Sequence, residues 1–408
     1  MIVVGGGVAG LVAARALVLG GARVTLLEAS DRLGGAVAEH VVGGILLDAA
    51  ADSFATRRGT VARLATSLGL ADDIVEPDLG GQWLRRAEGS TVALPAITLL
   101  GIPGVPLASD VMAVVGRRVA FRALLDELMP GTVGASSKTL GELVRTRMGQ
   151  GLLDALVAPV TQGIHARHPD DLDLDRIAPG LRQSLLREGS LARAVRDLQT
   201  SDAAIRGIRG GVYRLVVELA ADLERFGVDV RLNSRVTAVE PGAAVLGDER
   251  LEGHVLVAAP YLLGRTKADE TLTVVTLVVD SAELDAAPRG AGVLVADGGA
   301  RPRTLTHATV KWPWLGERVG AGRHVIRVSY AGRATVKQAV DDAGQLLGVA
   351  LGGVADSAIG QWRVPAPQGP APEGVWVTGQ ATSGTGLAAV IGHATTTAEA
   401  LLEQLAHL

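Results

Sequence analysis

The glycines near the start of the chain have the spacing of a phosphate-binding turn. Residues 5–10 read Gly-Gly-Gly-Val-Ala-Gly and therefore match the pattern GxGxxG. In this pattern the first glycine permits a tight turn, the second lets backbone N–H groups approach a pyrophosphate, and the third lets helix and strand pack closely. We predict that this turn binds a dinucleotide through Gly5, Gly7, Val8, Ala9 and Gly10.

The elements on either side of the turn are those that a dinucleotide site requires. A short apolar strand precedes Gly5, a helical run follows over residues 11–19, and a second strand over residues 22–27 ends at Glu28. The helix N-terminus favours an anion, and the carboxylate of Glu28 is placed to accept hydrogen bonds from a ribose. A lone GxGxxG is weak evidence, but within a strand–helix–strand unit it predicts an α/β, Rossmann-like domain.

A second glycine-rich turn precedes the last helical run. A strand over residues 375–379 ends in glycine, two more glycines follow, and a helix is predicted over residues 387–405. Only about 20 residues remain, too few for the next strand of a full unit. We interpret the turn as a helix N-terminus facing a cofactor group that acquires negative charge, and the alternative is a helix start that only caps itself. The residues concerned are Gly379, Gly384, Gly386 and Leu387.

Composition excludes several classes of protein. The 408 residues are enough for two or three domains. A net charge of −4 leaves no basic excess, so we expect no nucleic-acid partner. The chain has no cysteine, which excludes disulfides, cysteine-ligated iron–sulfur clusters and a cysteinyl-flavin bond. No secretory signal is recognisable before the glycine turn, so we expect a cytoplasmic protein.

Residues 89–109 carry no charge and are long enough to span a bilayer. Three prolines and two further glycines interrupt the stretch, and proline breaks helices. We predict that it forms the apolar wall of a pocket. The alternative is a surface that rests on a membrane, which would make the protein peripheral there.

The residues after Glu28 resemble the flavin-binding extension of amine oxidases, phytoene desaturases and protoporphyrinogen oxidases. Residues 28–35 read Glu-Ala-Ser-Asp-Arg-Leu-Gly-Gly. The resemblance implies FAD, bound non-covalently, near a guanidinium that can pair with phosphate and glycines that permit close approach. In a flavoprotein the second glycine turn would face the N1–C2=O edge of the ring. The further cofactor-binding residues predicted in this way are Ala29, Arg32, Gly34, Gly35 and Val236.

Segments across nearly the whole chain resemble the protoporphyrinogen/coproporphyrinogen oxidase family, in its actinobacterial branch. The most specific are the C-terminal glycine turn and Lys-Trp-Pro-Trp-Leu at residues 311–315. The resemblance implies an oxidase of haem biosynthesis that converts coproporphyrinogen III to coproporphyrin III, with oxygen as acceptor and hydrogen peroxide as product. No other GxGxxG pattern is present to hold NAD(P)H, which agrees with an oxidase.

The same resemblance implies a Rossmann-like FAD-binding domain interrupted by a sheet-based substrate domain and a helical domain. We assign residues 1–80, 205–262 and 359–408 to the FAD-binding domain, 81–95 and 263–358 to the substrate domain, and 96–204 to the helical domain. We expect a hairpin over residues 82–94. Within residues 111–198 we expect helices that break at Pro130-Gly131 and at Pro159.

The substrate side of the site is predicted from its chemistry. A porphyrinogen needs a flat apolar slot and cations for its propionates. We take Lys311 and Arg167 as catalytic candidates, and Lys311 has the alternative role of bridging to the flavin through water. The other substrate-binding candidates are the cations Arg85, His165 and Arg182 and the apolar residues Leu100 and Ile102. For each cation the alternative is an exposed salt-bridge partner.

Other functions remain open. Protoporphyrinogen IX has two propionates rather than four and is the nearest alternative substrate, followed by an amine. A non-catalytic flavoprotein is a third alternative, because Ala36 and Ala50 stand where the family usually has a basic residue and a glycine.

Overall fold

The computed structural model describes residues 1–56, 59–165, 167–198, 205–259, 262–263, 270–364, 373–384 and 386–406. The chain divides into two compact units. Unit 1 comprises Met1–Pro77, Ala203–Val274 and Ala358–Leu408, and unit 2 comprises Asp78–Asp202 and Val275–Ser357.

Within the described residues, the strands are β1 (Ile2–Val4), β2 (Thr25–Leu27), β3 (Glu39–Val42), β4 (Ile45–Asp48), β5 (Phe54–Ala55), β6 (Ile74–Val75), β7 (Gln82–Arg85), β8 (Thr91–Ala93), β9 (Thr98–Leu99), β10 (Ile102–Pro103), β11 (Ile205–Ile208), β12 (Asp229–Arg231), β13 (Ala238–Glu240), β14 (Ala243–Leu246), β15 (Glu249–Glu252), β16 (Val255–Val257), β17 (Glu270–Asp280), β18 (Gly292–Val295), β19 (Thr304–His307), β20 (Arg323–Ala331), β21 (Val354–Val364) and β22 (Trp376–Val377).

The α-helices of the same residues are α1 (Val8–Leu19), α2 (Thr60–Ser67), α3 (Ser109–Val115), α4 (Arg117–Leu124), α5 (Leu140–Met148), α6 (Gln150–Leu152), α7 (Ala158–His165), α8 (Leu174–Ile177), α9 (Leu181–Glu188), α10 (Leu191–Leu198), α11 (Arg214–Arg225), α12 (Ala308–Lys311), α13 (Pro313–Val319), α14 (Val336–Leu347), α15 (Gln380–Ser383) and α16 (Leu387–Ala406).

Unit 1 is built on a parallel sheet in the order β12-β2-β1-β16-β22. Alternate residues of β1 face opposite sides. Val3 packs with residues of α1, α11 and α16, whereas Ile2 and Val4 pack with residues of β14 and β16. Both faces of the sheet are therefore covered, as a parallel sheet requires. This is the Rossmann-like arrangement that the sequence predicted.

Unit 2 contains most of a seven-stranded sheet in the order β21-β17-β20-β19-β18-β7-β8, of which β17 and β21 also contribute residues to unit 1. Helix α14 packs on this sheet through Ala339, Ala343 and Leu346. Its N-terminus is fixed by a capping box between Thr335 and Gln338. The predicted hairpin over residues 82–94 is confirmed as the antiparallel pair β7–β8.

Residues of helices α3 to α6 and α8 to α10 form a second core in unit 2. The predicted break at Pro159 is wrong, because Pro159 is the second residue of α7. Proline has no N–H to donate to the preceding turn, and the chain accommodates it with a π-helical turn at Leu153–Val157. No helix among the described residues is long and apolar enough to cross a membrane.

Candidate functional site

The first glycine turn of unit 1 can be closed only by glycines. Gly5 has a φ of +105°, and its N–H donates to the carbonyl of Leu27 at 2.8 Å. A Cβ on Gly10 would lie 1.8 Å from the Gly5 carbonyl oxygen. Because α1 approaches the end of β1 this closely, any side chain at Gly10 would push the helix away from the turn.

Gly7, just before α1, is instead surrounded by open space. A Cβ on Gly7 would meet no described atom within 4 Å. Val8 and Ala9 follow as the buried first residues of the twelve-residue helix. The helix N-terminus and its open glycine thus form a cradle in which an anionic group could lie against the backbone.

Glu28 lies at the end of β2, beside the turn. Its Oε2 accepts the N–H of Gly6 at 2.6 Å, and its Oε1 accepts the N–H and the hydroxyl of Ser30, each at 2.7 Å. Oε2 accepts one hydrogen bond from the described residues and retains a second lone pair. The carboxylate is therefore held in place and can still accept a hydroxyl.

The residues after Glu28 lie against the same turn. The Gly34 N–H donates to the carbonyl of Gly6 at 2.8 Å, and a Cβ on Gly34 would lie 2.2 Å from the carbonyl oxygen of Val37. A Cβ on Gly35 would lie 3.3 Å from the Cα of Gly7. The exposed guanidinium of Arg32 donates to carbonyls of this loop, those of Leu33 and Gly35. Half-buried Ala29 precedes the loop.

The second glycine turn approaches the first. A Cβ on Gly379 would lie 3.7 Å from the Cβ of Ala9. Gly384 and Gly386 have φ values of +89° and +104°, and a Cβ on either would meet no described atom within 4 Å. The predicted last helix is confirmed as α16, which begins at half-buried Leu387. Both glycine motifs therefore lie at the carboxyl edge of one sheet and fit a nucleotide cofactor there.

Two side chains that the sequence did not single out hold the backbone of unit 1, one just before α11 and one beside the second glycine turn. Asp48 accepts the N–H groups of Val212 and Tyr213, at 3.0 and 2.9 Å. His393 of α16 lies 2.9 Å from the hydroxyl of Thr378, the residue before Gly379. Val236, which we predicted to contact the cofactor, is buried among residues of β1 and β16.

Lys311, the first catalytic candidate, ends the short helix α12 of unit 2. Only 8% of it is exposed, and its ammonium lies 5.0 Å from the centre of the Trp312 ring, which places the charge over the aromatic face. Its carbonyl accepts the N–H of Asp78 at 2.9 Å. Lys311 is therefore a buried, oriented cation.

The other candidate cations differ in what they contact. Arg182 forms a two-pronged ion pair with Asp175, at 3.0 and 2.8 Å, and also donates to the carbonyls of Ala135 and Ser137. This ion pair lowers the pKa of the Asp175 carboxyl. Because its donors are directed at these protein groups, Arg182 has a structural position, which does not favour its predicted role as a propionate ligand.

Arg85 keeps a free donor. One Nη donates to Thr91 at 3.2 Å, whereas its buried Nε has no hydrogen-bond partner among the described residues. His165 and Arg167 are half-buried near the end of α7, and residue 166 between them lies outside the described residues.

The two apolar candidates, Leu100 and Ile102, differ in burial. Ile102 is completely buried in the helical core of unit 2, so it cannot line an open slot as predicted. Leu100 is half-buried at the tip of the β9–β10 hairpin, with a φ of +52°. A leucine in this left-handed region is uncommon and marks a constrained turn.

Two buried polar clusters of unit 2 had no signal in the sequence. Fully buried Arg147 donates to the carboxylate of Asp126 and to several loop carbonyls, while Asp126 accepts N–H groups at the start of α10. His307 and His324 lie 3.0 Å apart, from Nε2 to Nδ1. Their partners come from distant parts of the chain, so no local spacing could have revealed them.

Comparison with known proteins gives the class. A model of the family described as flavin containing amine oxidoreductase matches residues 8–261 of this chain. The chain belongs to this family, and it is therefore an oxidoreductase of a flavin-containing kind.

Individual relatives narrow the resemblance. A coproporphyrinogen III oxidase from Propionibacterium freudenreichii subsp. freudenreichii is 27% identical, over 76% of this chain and 69% of the relative. Another, from Mycobacterium tuberculosis (strain ATCC 25618 / H37Rv), is 28% identical, over 99% and 97%. The predicted resemblance to the porphyrinogen oxidases is confirmed.

Solved structures share the fold. The structure of a protein from Exiguobacterium sp. 255-15, provisionally described as a protoporphyrinogen oxidase, has a TM-score of 0.83 at 21% identity, covering 99% of this chain and 98% of that one. Cyclohexylamine oxidase from Brevibacterium oxydans IH-35A has a TM-score of 0.66 at 17% identity, covering 99% of both. These likenesses confirm the predicted fold class.

Proposed function

We propose that this protein is an FAD-dependent oxidase of haem biosynthesis that converts coproporphyrinogen III to coproporphyrin III. Oxygen is the electron acceptor and hydrogen peroxide the second product. The observation that carries the proposal is the similarity to coproporphyrinogen III oxidases, which for the Mycobacterium tuberculosis protein extends over 99% of this chain.

The geometry of unit 1 supports FAD, bound without a covalent link. Open Gly7 and the N-terminus of α1 would receive the diphosphate, and the held carboxylate of Glu28 would accept a ribose hydroxyl. The turn at Gly384 and Gly386 would direct the N-terminus of α16 toward the ring. Bound FAD supplies the acceptor for the hydride that leaves a meso carbon of the substrate.

The residues of unit 2 that we propose for the substrate are those that keep suitable chemistry. Buried Lys311 and half-buried Arg167 are the catalytic candidates, and Arg85, whose Nε has no hydrogen-bond partner among the described residues, is a propionate ligand. His165 is a second cation for a propionate. We propose the sheet of residues 81–95 and 263–358 as the substrate domain, the helices of 96–204 as the helical domain, and 1–80, 205–262 and 359–408 as the FAD-binding domain.

Anaerobic mixing of the purified yellow protein with coproporphyrinogen III, followed by air, tests the proposal. Flavin absorbance should bleach and then recover, while coproporphyrin fluorescence and hydrogen peroxide appear. Protoporphyrinogen IX and cyclohexylamine, run in parallel, rank the alternative substrates. Faster bleaching by either would overturn the substrate assignment, and a flavin that stays oxidised with all three would support a non-catalytic flavoprotein.

A further inference from the structure

Two imidazoles meet in the interior of unit 2, and the proposed function uses neither. His307, at the end of β19, is 0% exposed, and His324, on β20, is 6% exposed. The Nε2 of His307 lies 3.0 Å from the Nδ1 of His324, and the rings meet edge to face. Such a contact needs one nitrogen to donate and the other to accept.

Asp285 decides which nitrogen accepts. The Nε2 of His324 lies 3.1 Å from the Oδ1 of Asp285. The two groups are not aligned for a hydrogen bond, but a carboxylate this close favours the tautomer in which Nε2 of His324 carries the proton and its Nδ1 keeps a lone pair. That lone pair accepts the Nε2–H of His307.

The same lone pair faces a second donor. The hydroxyl of Thr309 lies 3.4 Å from the Nδ1 of His324. The Thr309 oxygen already accepts the N–H of Val325 at 3.4 Å, which leaves its proton to point toward His324. One acceptor atom on β20 thus contacts two residues of a neighbouring segment.

These two residues begin the helix that carries Lys311. His307 is the residue before α12, Thr309 is its second residue, and Lys311 is its last. A four-residue helix has little stability of its own, so its position depends on such contacts.

We infer that His324, in the tautomer favoured by nearby Asp285, is a positioning residue that holds the Lys311 helix through His307 and Thr309. This inference rests on the proposed function, in which Lys311 acts at the substrate.

The charge state of the cluster is consistent with this role. Burial lowers the pKa of His307 to about 4. Burial also lowers the pKa of His324, although Asp285 and the Ser281 backbone oppose it. Of the neighbouring charged groups, Arg323 is paired with Asp280 at 2.7 Å. Near neutral pH the Nδ1 of His324 is therefore an acceptor, and protonation in acid would turn it into a donor.

Two substitutions in the holoenzyme distinguish the role of Nδ1 as a hydrogen-bond acceptor from the role of the imidazole ring itself. His324→Asn retains an oxygen near the position of Nδ1, whereas His324→Leu removes the acceptor. Tyr330→Phe is the matched control. Tyr330 lies on the same strand as His324, and the substitution removes a buried hydrogen bond from its hydroxyl to Asp342.

A displaced Lys311 should slow flavin reduction by coproporphyrinogen III about 10- to 100-fold in H324L, with little change in KM. H324N should stay within about threefold of wild type and should lose the acid limb of its pH–rate profile.

A second measurement needs no substrate. The indole N–H resonance of Trp312, assigned with W312F, reports the position of the Lys311 ammonium over that ring. It should move in H324L and stay in place in H324N and Y330F. An unmoved Trp312 resonance in H324L, or equal slowing in H324L and H324N, would overturn the inference. If no porphyrinogen reduces the flavin of the wild-type protein but the Trp312 resonance still behaves as expected, the proposed function fails and the positioning role of His324 stands.

Discussion

The candidate site of unit 1 is formed by backbone groups, whereas the candidate site of unit 2 is formed by side chains. In unit 1 the site is made of backbone, because the positions that matter are glycines whose missing side chains open a cradle or close a turn. In unit 2 the candidates are charged side chains, and what each can do depends on a partner from elsewhere in the chain. Arg182 and Arg85 are both arginines, yet the guanidinium of Arg182 is paired with Asp175, whereas the Nε of Arg85 has no hydrogen-bond partner among the described residues.

The comparison teaches which kind of site a sequence can reveal. A backbone cradle is encoded by spacing over a few residues, because each glycine stands where a side chain would clash with nearby backbone or would fill the cradle. A side-chain site is encoded by three-dimensional neighbours, which spacing does not record. If this is correct, substitutions in unit 1 should follow local geometry, and those in unit 2 should follow the partners seen in the fold.

The largest effect is expected at the first glycine turn. Gly10→Ala places a Cβ 1.8 Å from the Gly5 carbonyl oxygen, so α1 must shift and the purified protein should lose its flavin. Gly7→Ala is the matched control, because its Cβ meets no described atom within 4 Å and should leave the fold intact. The ratio of flavin to protein absorbance and the Tm are the measurements.

We expect G7A to keep the wild-type Tm and to bind flavin at least about tenfold more weakly, because the new methyl group occupies the cradle. A G10A protein with normal Tm and full flavin content would contradict the close packing of α1. A G7A protein with unchanged flavin affinity would remove Gly7 from the cofactor site.

The next largest effect is expected in the buried ion pair of unit 2. Arg147→Met leaves the carboxylate of Asp126 in the core without its cation, which should cost about 3–5 kcal/mol of unfolding free energy. Arg145→Met is the neighbouring control, because its pair with Asp170 is exposed and should be worth at most about 1 kcal/mol. Equal midpoints for the two variants in urea denaturation would show that the buried network is not a stabilising element.

These cases show how far the sequence could predict the molecule. The strand–helix–strand start, the β7–β8 hairpin and helix α16 followed from periodicity and glycine placement, and the structure confirms them. The π-helical turn before Pro159 did not follow, since proline only forbids one hydrogen bond and does not dictate how the chain adjusts. Nor could the burial of Ile102 be predicted, because apolar residues line pockets and cores alike.

A smaller effect, visible only in acid, is expected at His307. The unfolded histidine binds a proton below its ordinary pKa of 6.5, whereas the buried one does so only below about 4. Between these values the unfolded state holds more protons, so stability falls as the pH falls, by up to about 3 kcal/mol at pH 4. In His307→Asn this part of the pH dependence should vanish. In urea denaturation between pH 7 and 4, a wild-type slope in H307N would contradict the burial argument.

The smallest effect is expected from substitutions of Arg85 and Arg182, the two arginines compared above. Arg85→Gln removes the free buried donor and should raise KM for coproporphyrinogen III about tenfold, the value of one charge-assisted hydrogen bond. Arg182→Gln breaks the contacts with Asp175 and the loop carbonyls, so it should lower Tm and leave KM within about twofold. Steady-state kinetics and thermal unfolding of both variants make the test. A raised KM in R182Q with unchanged Tm would reverse the two assignments, because the engaged arginine would then be the one that releases its partners for the substrate.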